Sequence, residues 1–177
     1  RLEDLAGNRS MPVTRRQFLN YAATGTAVST ASGFSFAQKR GVTKPNKLES
    51  GMTVGLVSPA SNAAEDEDIL ASIEFVRSLG FEAKASPNLF ARNQYLAGTD
   101  QQRARDLNAF FADPEIDAIF CTRGGYGAPR ILPYLDYETI AANPKVFMGY
   151  SDITALLNAI QVKTGLVTYH GPMAFEN

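Results

Sequence analysis

Residues 145–157 read KVFMGYSDITALL and give the clearest indication of the fold. The part from Lys145 to Tyr150 is a short apolar run that predicts a buried strand, and Asp152 to Lys163 has the spacing of a helix. Ser151 stands at the junction, two positions after Gly149. This order is typical of a nucleophile elbow, in which a tight turn between strand and helix projects a serine hydroxyl outward.

The junction allows two interpretations. If Ser151 is a nucleophile, the helix N-terminus and the backbone N–H of Asp152 are placed to stabilise an oxyanion beside it. Position 153, where such elbows usually carry glycine, is isoleucine here. The alternative is that Ser151 or Asp152 only caps the helix, as these residue types commonly do.

Outward from this stretch, predicted strands alternate with predicted helices. The other strands are Met52 to Val57, Phe81 to Ala85, Ile116 to Cys121 and Leu166 to Tyr169, and the other helices are Glu65 to Leu79, Gln101 to Phe111, Ala128 to Leu132 and Tyr137 to Ala142. The alternation predicts an α/β fold, a mostly parallel sheet with helices on both faces. Ligands bind beyond the carboxyl ends of the strands in such sheets.

A glycine-rich loop, residues 123–127, follows one of these strands. It reads Arg123-Gly124-Gly125-Tyr126-Gly127. Glycines let backbone N–H groups converge on an anion or a carbonyl oxygen, and Arg123 has the donors to grip a carboxylate. The loop does not fit the dinucleotide fingerprint, which opens a helix with G-x-G-x-x-G. A turn without any binding role is the alternative.

The composition of the chain limits the binding partners, metal sites and catalytic groups that it can have. Basic and acidic residues nearly cancel, 17 against 18, so nothing favours nucleic acid as a partner. The single cysteine, Cys121, excludes an intrachain disulfide and a cysteine zinc cluster, and its apolar strand predicts a core position. The single histidine, His170, is a candidate base for Ser151, although a lone histidine is more often structural. The acidic run 65–68 predicts the start of a helix rather than a metal site.

The first 37 residues predict a leader. Arg15 and Arg16 precede a weakly hydrophobic, small-residue stretch that ends at Ala37, which resembles a twin-arginine signal peptide. We expect export to the periplasm or beyond, without a stable membrane anchor. The alternative is that these residues are an N-terminal tail in which the two arginines are adjacent by chance. Residues 38–49 predict a linker, and residues 50–177 the globular domain.

Five blocks of the sequence, taken together, resemble a known family. They are residues 54–61, 119–127, 130–136, 149–156 and 170–173, in that order. Their sequences resemble the murein tetrapeptide LD-carboxypeptidase family, which also includes the microcin C self-immunity peptidases. These are Ser-His-Glu hydrolases that cleave the bond between an L-centre and a terminal D-amino acid. In peptidoglycan tetrapeptides this is the bond between diaminopimelate and D-alanine.

The resemblance implies a role for each matching residue. Ser151 is the expected nucleophile, and the backbone N–H groups of Asp152 and Gly125 are the expected oxyanion hole. Arg123, Gly124 and Tyr126 are the expected substrate-binding residues, with Gly124 as a further oxyanion candidate. No metal or organic cofactor is expected.

The resemblance also implies what this chain lacks. The family's catalytic glutamate and histidine lie in a second, C-terminal domain, and His170 is not that histidine. These 177 residues are therefore expected to be a fragment of a serine carboxypeptidase, and the fragment is expected to be inactive alone. The complete protein is expected to act on a peptidoglycan-derived peptide, and a homodimer is possible. The alternatives are a non-catalytic muropeptide-binding module and an amidase for peptidyl-nucleotide antibiotics.

Overall fold

The structure, a computed structural model, describes residues 41–174. Five strands and five α-helices alternate along them. The strands are β1 (Thr53–Val57), β2 (Glu82–Ala85), β3 (Ala118–Cys121), β4 (Val146–Gly149) and β5 (Tyr169–His170), and the helices are α1 (Asp66–Ser78), α2 (Asp100–Ala112), α3 (Ala128–Ile131), α4 (Tyr137–Ala142) and α5 (Thr154–Thr164). Two 3₁₀ turns, Leu132–Tyr134 and Ser151–Ile153, follow α3 and precede α5.

The five strands form one parallel sheet in the order β2-β1-β3-β4-β5. The chain builds outward in one direction from β1 to β2, then returns across β1 to add β3, β4 and β5. The reversal of strand order lies between β1 and β3, where Val57 is in register with Cys121. In open α/β sheets a crevice forms at such a point, beyond the carboxyl ends of the strands. The predicted parallel α/β fold is confirmed.

Helices cover both faces because side chains along each strand alternate in direction. On one face, Leu56 and Phe120 pack with Val76 of α1. On the other face, Ile119 and Phe147 join a larger cluster with side chains from the remaining four helices. Those helical residues are Leu107, Phe110, Phe111, Ile131, Ile140, Leu156 and Ile160. The near-continuous apolar strands follow from this burial on two sides.

The two long helices begin where the sequence places N-terminal signals. α2 starts after Thr99, whose hydroxyl accepts the N–H of Gln102 at 3.2 Å while the Gln102 side chain accepts the N–H of Thr99 at 2.9 Å. α1 starts after Glu65, with an acidic first turn and a similar reciprocal pair with Asp68. The acidic run is therefore a helix start, as predicted.

Two predicted boundaries were wrong. The last strand was expected over 166–169, but β5 contains only Tyr169 and His170, and Leu166 forms a single bridge with Thr43. The final helix was expected from Asp152, but residues 151–153 form a 3₁₀ turn and the α-helix starts at Thr154. The first shift has a tertiary cause, because Leu166 pairs with Thr43 near the start of the domain. The second is local, because the turn at Ser151 occupies residues 151–153 before the α-helix begins.

The leader, residues 1–37, lies outside the described residues, so its prediction stays a prediction. Within the predicted linker, Thr43 donates its N–H to the carbonyl of Gly165 at 2.9 Å and accepts the N–H of Val167 at 2.8 Å. Among residues 41–174, none of the helices has the length and apolar character needed to cross a membrane.

Candidate active site

Ser151 lies at the tip of a sharp turn after β4. Its backbone has φ of +58°, and Gln94 is the other non-glycine residue with positive φ in residues 41–174. This left-handed conformation costs an L-residue roughly 1–2 kcal/mol. The turn is tight enough that a Cβ on Gly149 would lie 2.8 Å from Cγ2 of Ile153. The result is a serine side chain that is exposed at the end of a buried strand.

Neither side chain at the turn caps the helix. Tyr150 precedes the 3₁₀ turn and Ile153 precedes α5, both without a side-chain cap. The Asp152 carboxylate instead accepts the backbone N–H of Ala128, the first residue of α3, at 2.7 Å. The capping interpretation of the junction was therefore wrong, and a different explanation is needed for a serine held in this strained conformation.

The glycine-rich loop lies directly beside the turn. A Cβ on Gly124 would lie 3.1 Å from Cβ of Ser151, so the backbone of the loop approaches the serine as closely as packing allows. Gly125 has φ of +98°, and a Cβ there would lie 2.3 Å from Oγ of Ser61. Gly125 is required by space and by its backbone conformation, whereas a side chain at Gly124 would fit only if Ser151 shifted slightly.

The loop and the turn share a cavity of about 430 Å³. Ser151, Arg123, Gly124 and Gly125 line it, together with residues from the start of α1 and Met173. Of the predicted substrate-binding residues, Tyr126 is 73% exposed and does not line this cavity. The Arg123 guanidinium is exposed at the rim and donates to the carbonyl of Asn62 at 3.3 Å. The cavity thus has a hydroxyl at one wall and a cation at another.

The backbone N–H groups of Gly125 and Asp152 have no acceptor among the described residues. Exposed turn N–H groups next to a serine hydroxyl are the donors that an acyl-transfer site uses to stabilise a developing oxyanion. No hydrogen bond within residues 41–174 links the Ser151 hydroxyl to an imidazole or a carboxylate. The described residues therefore bring together the Ser151 hydroxyl and candidate oxyanion donors. None of the described residues acts as a base in a hydrogen bond to that hydroxyl.

The other two candidate groups stand apart from this chemistry. His170 is on β5, exposed, with its ring edge-on to Tyr150 at a centroid distance of 6.3 Å. Cys121 is fully buried at the end of β3, and this burial raises the pKa of its thiol well above the usual range. A buried thiol of this kind is unreactive, so Cys121 is a core residue as predicted. Within residues 41–174, no group of three histidine, cysteine or carboxylate side chains comes together to hold a metal ion.

Sequence reasoning missed two side chains that hold the loop. Ser61 accepts the N–H of Tyr126 through its Oγ at 3.0 Å and donates its own N–H to the carbonyl of Gly124 at 3.1 Å. Arg103, on α2, is buried and donates to the carbonyls of Pro59 at 2.6 Å and Gly127 at 2.9 Å, and it also pairs with Asp100. Ser61 lies in the loop after β1, and this position beyond the end of a strand could have identified it. Arg103 lies in a polar helix segment that reads as exposed.

Known proteins are similar to this chain in sequence and in fold. The family profile described as the LD-carboxypeptidase N-terminal domain matches residues 54–171. A Bacillus subtilis protein named "Probable murein peptide carboxypeptidase" is 43% identical over 130 residues, which cover 73% of this chain and 40% of that protein. The microcin C7 self-immunity protein MccF of Escherichia coli is 39% identical over 128 residues, which cover 71% and 37% of the two chains.

The fold comparison agrees with the sequence comparison. A crystal structure of an MccF-like protein from Bacillus anthracis superposes with a TM-score of 0.72 at 39% identity, over 75% of this chain and 41% of that one. This chain spans about two fifths of the length of the curated relatives it matches. The family match over residues 54–171 spans the region from β1 to β5 that carries the site. The chain belongs to the LD-carboxypeptidase family, of which it carries the N-terminal domain.

Proposed function

We propose that this chain carries the nucleophile of a serine LD-carboxypeptidase that releases D-alanine from peptidoglycan tetrapeptides. The observation that supports it most is the geometry of Ser151, which has a φ of +58° at the edge of the cavity beside the glycine-rich loop. A strained, exposed serine between unpaired N–H groups is the arrangement that nucleophilic attack on a carbonyl needs.

Each part of the cavity has a role in the proposed reaction. The Ser151 hydroxyl attacks the carbonyl of the scissile bond, and the oxygen of that carbonyl gains negative charge beside the Gly125 and Asp152 N–H groups. Arg123 at the rim supplies the cation for a substrate carboxylate. A base takes the proton of the Ser151 hydroxyl and passes it to the nitrogen of the scissile bond, so that the C–N bond breaks and the terminal D-amino acid leaves as a neutral amine. Water then hydrolyses the ester to Ser151, which frees the peptide carboxylate and restores the hydroxyl.

A serine needs a base to become a good nucleophile. In the active enzyme we expect a glutamate and a histidine from a further domain, as the family resemblance implies, and not His170. The 177 residues taken alone are expected to be inactive for the same reason. Loss of a triad partner usually costs several orders of magnitude in rate.

The substrate assignment is tested by comparing two peptides. We expect the full-length enzyme to release D-alanine from the tetrapeptide L-Ala-γ-D-Glu-diaminopimelate-D-Ala, and to leave the same peptide with a terminal L-alanine intact. Chromatography of the free amino acid measures both reactions. Equal release from both peptides, or from neither, would contradict the assignment.

The relative MccF, whose structure has been solved in complex with glutamyl sulfamoyl guanosine, motivates a second candidate, an amidase for peptidyl-nucleotides. The same assay separates the two candidates when a peptidyl-adenylate analogue is added as a third substrate. Cleavage of that analogue with the tetrapeptide left intact would favour the amidase. Tetrapeptide binding without cleavage of any substrate, unchanged in Ser151→Ala, would favour a non-catalytic binding module.

We also propose export through the twin-arginine route. The support is the Arg15-Arg16 pair ahead of a weakly hydrophobic stretch, a signal that a receptor reads. Replacing both arginines by lysine preserves the charge and is expected to leave the protein in the cytoplasm, as measured by fractionation and immunoblotting. Unchanged export of the double-lysine variant would contradict this route.

A further inference from the structure

We infer that the side chains of Asp152 and Ser61 are positioning residues that orient the Gly125 N–H toward the oxyanion. The inference rests on the proposed function. It gives Asp152 a second role, because its backbone N–H is already a candidate oxyanion donor. The hydrogen bonds that hold the loop and support this inference are made by the side chains of Asp152 and Ser61 and by the backbone N–H of Ser61.

The first observation concerns the peptide group between Gly127 and Ala128. Its carbonyl accepts from Nη1 of Arg103 at 2.9 Å, and its N–H donates to Oδ2 of Asp152 at 2.7 Å. The C=O and N–H of a trans peptide point in opposite directions. A peptide group bonded at both ends cannot rotate without breaking one bond, so the C-terminal end of the loop is fixed.

The second observation concerns the peptide groups on either side of Gly125. The carbonyl of Gly124 accepts the N–H of Ser61 at 3.1 Å, and the N–H of Tyr126 donates to Oγ of Ser61 at 3.0 Å. Because the Gly124 carbonyl points to Ser61, the N–H of Gly125 in the same peptide group points away from Ser61. That N–H has no acceptor among the described residues.

Asp152 connects the two candidate donors. Its backbone N–H follows Ser151 directly, and its carboxylate holds the loop that carries the Gly125 N–H. The alternative connection runs along a glycine-rich chain, whose many accessible conformations would have to be restricted in the transition state. The hydrogen bond from the Ala128 N–H to Asp152 therefore restrains the loop relative to the turn before the substrate binds, which is the preorganisation an oxyanion hole requires.

The charge of Asp152 needs compensation, because a carboxylate near a developing oxyanion is unfavourable. The Ala128 N–H provides part of it, and the buried guanidinium of Arg103 lies nearby. Burial lowers the pKa of Arg103, while Asp100 and, to a smaller degree, Asp152 oppose that shift. The useful property of Asp152 is thus its acceptor oxygen rather than its charge, so asparagine is expected to substitute for it.

The experiment compares Asp152→Ala with Asp152→Asn in the full-length enzyme. We expect Asp152→Ala to lower kcat for D-alanine release by about 10- to 100-fold, because a loosened donor weakens binding of the transition state alone. KM is expected to stay within about twofold, since ground-state contacts remain. Asp152→Asn is expected to restore most of the kcat. A serine-reactive fluorophosphonate counts the active sites, so that kcat refers to folded enzyme.

The matched control is Asp136→Ala. Asp136 also accepts backbone N–H groups at the start of a short helix, from Glu138 at 3.2 Å and Thr139 at 3.0 Å, but α4 is not part of the cavity. We expect it to lower the melting temperature and to leave kcat per titrated site unchanged. A purely structural Asp152 would behave in the same way as this control.

Ser61→Ala tests the other half of the inference, and it also serves if Asp152→Ala fails to fold. It removes the acceptor for the Tyr126 N–H, and a fall in kcat of about tenfold at constant KM is expected. Wild-type kcat in both variants, or a kcat in Asp152→Asn as low as in Asp152→Ala, would overturn the inference. Activity in Ser151→Ala would overturn the proposed function as well. An inactive Ser151→Ala together with wild-type kcat in both Asp152→Ala and Ser61→Ala would overturn only the positioning roles.

Discussion

Ser151→Ala is expected to reduce D-alanine release by the full-length enzyme at least about 10⁴-fold, close to the background of the assay. The alanine lacks the hydroxyl that forms the bond to the substrate carbonyl, and among residues 41–174 the other aliphatic hydroxyls that line the cavity, those of Ser72 and Thr122, belong to buried residues. Cys121 is buried behind the turn and has a thiol whose pKa is raised by burial. Residual activity near the wild-type level would exclude Ser151 as the nucleophile.

Ser151→Gly is the informative companion to the alanine variant. Glycine adopts a φ of +58° without the penalty that serine carries there, so this variant is expected to be more stable by roughly 1 kcal/mol. It is also expected to be inactive. A gain in stability together with a loss of activity indicates a residue kept in a strained conformation for its chemistry. Chemical denaturation and the D-alanine assay measure the two effects, and a less stable glycine variant would contradict the strain.

Arg103→Met is expected to give the largest loss of stability, about 3–5 kcal/mol. Methionine matches the length of the buried arginine stem but leaves the carbonyls of Pro59 and Gly127 without donors. Carbonyls left without a donor in the interior destabilise the fold, because they have also lost their hydrogen bonds to water. Urea denaturation measures the loss, and the melting temperature is expected to fall by roughly 10 °C.

Arg130→Ala provides the control for Arg103→Met. Arg130 contacts the same carboxylate, with Nε and Nη2 at 3.1 Å and 3.0 Å from Oδ2 of Asp100, but its side chain is 54% exposed. Solvent screens such a pair, so a much smaller loss is expected. Equal losses in the two variants would show that pairing with Asp100, and not the two buried carbonyls, explains the role of Arg103.

The sequence predicted the elements well where the signal was local. The helix over Tyr137–Ala142 has the predicted bounds, and the strand before the glycine-rich loop ends at Cys121 as predicted. Apolar periodicity and capping residues act over a few positions, so they can be read from the chain. The last strand was misplaced because Leu166 pairs with Thr43, a partner more than a hundred residues away that no local pattern reveals.

The alternating α/β order, the glycine-rich loop and the serine at the junction of strand and helix could all be predicted from the sequence. Whether Ser151 or Asp152 capped the helix could not, because capping and elbow turns use the same residue types. The answer came from the tertiary structure, in which the Asp152 carboxylate accepts the N–H of Ala128. It also brought Ser61 and Arg103 to the loop through hydrogen bonds that span 65 residues, to Tyr126, and 44 residues, to Pro59. The physical reason is that hydrogen-bond partners are chosen by proximity in space, which the parallel sheet sets by placing the ends of β1, β3 and β4 side by side.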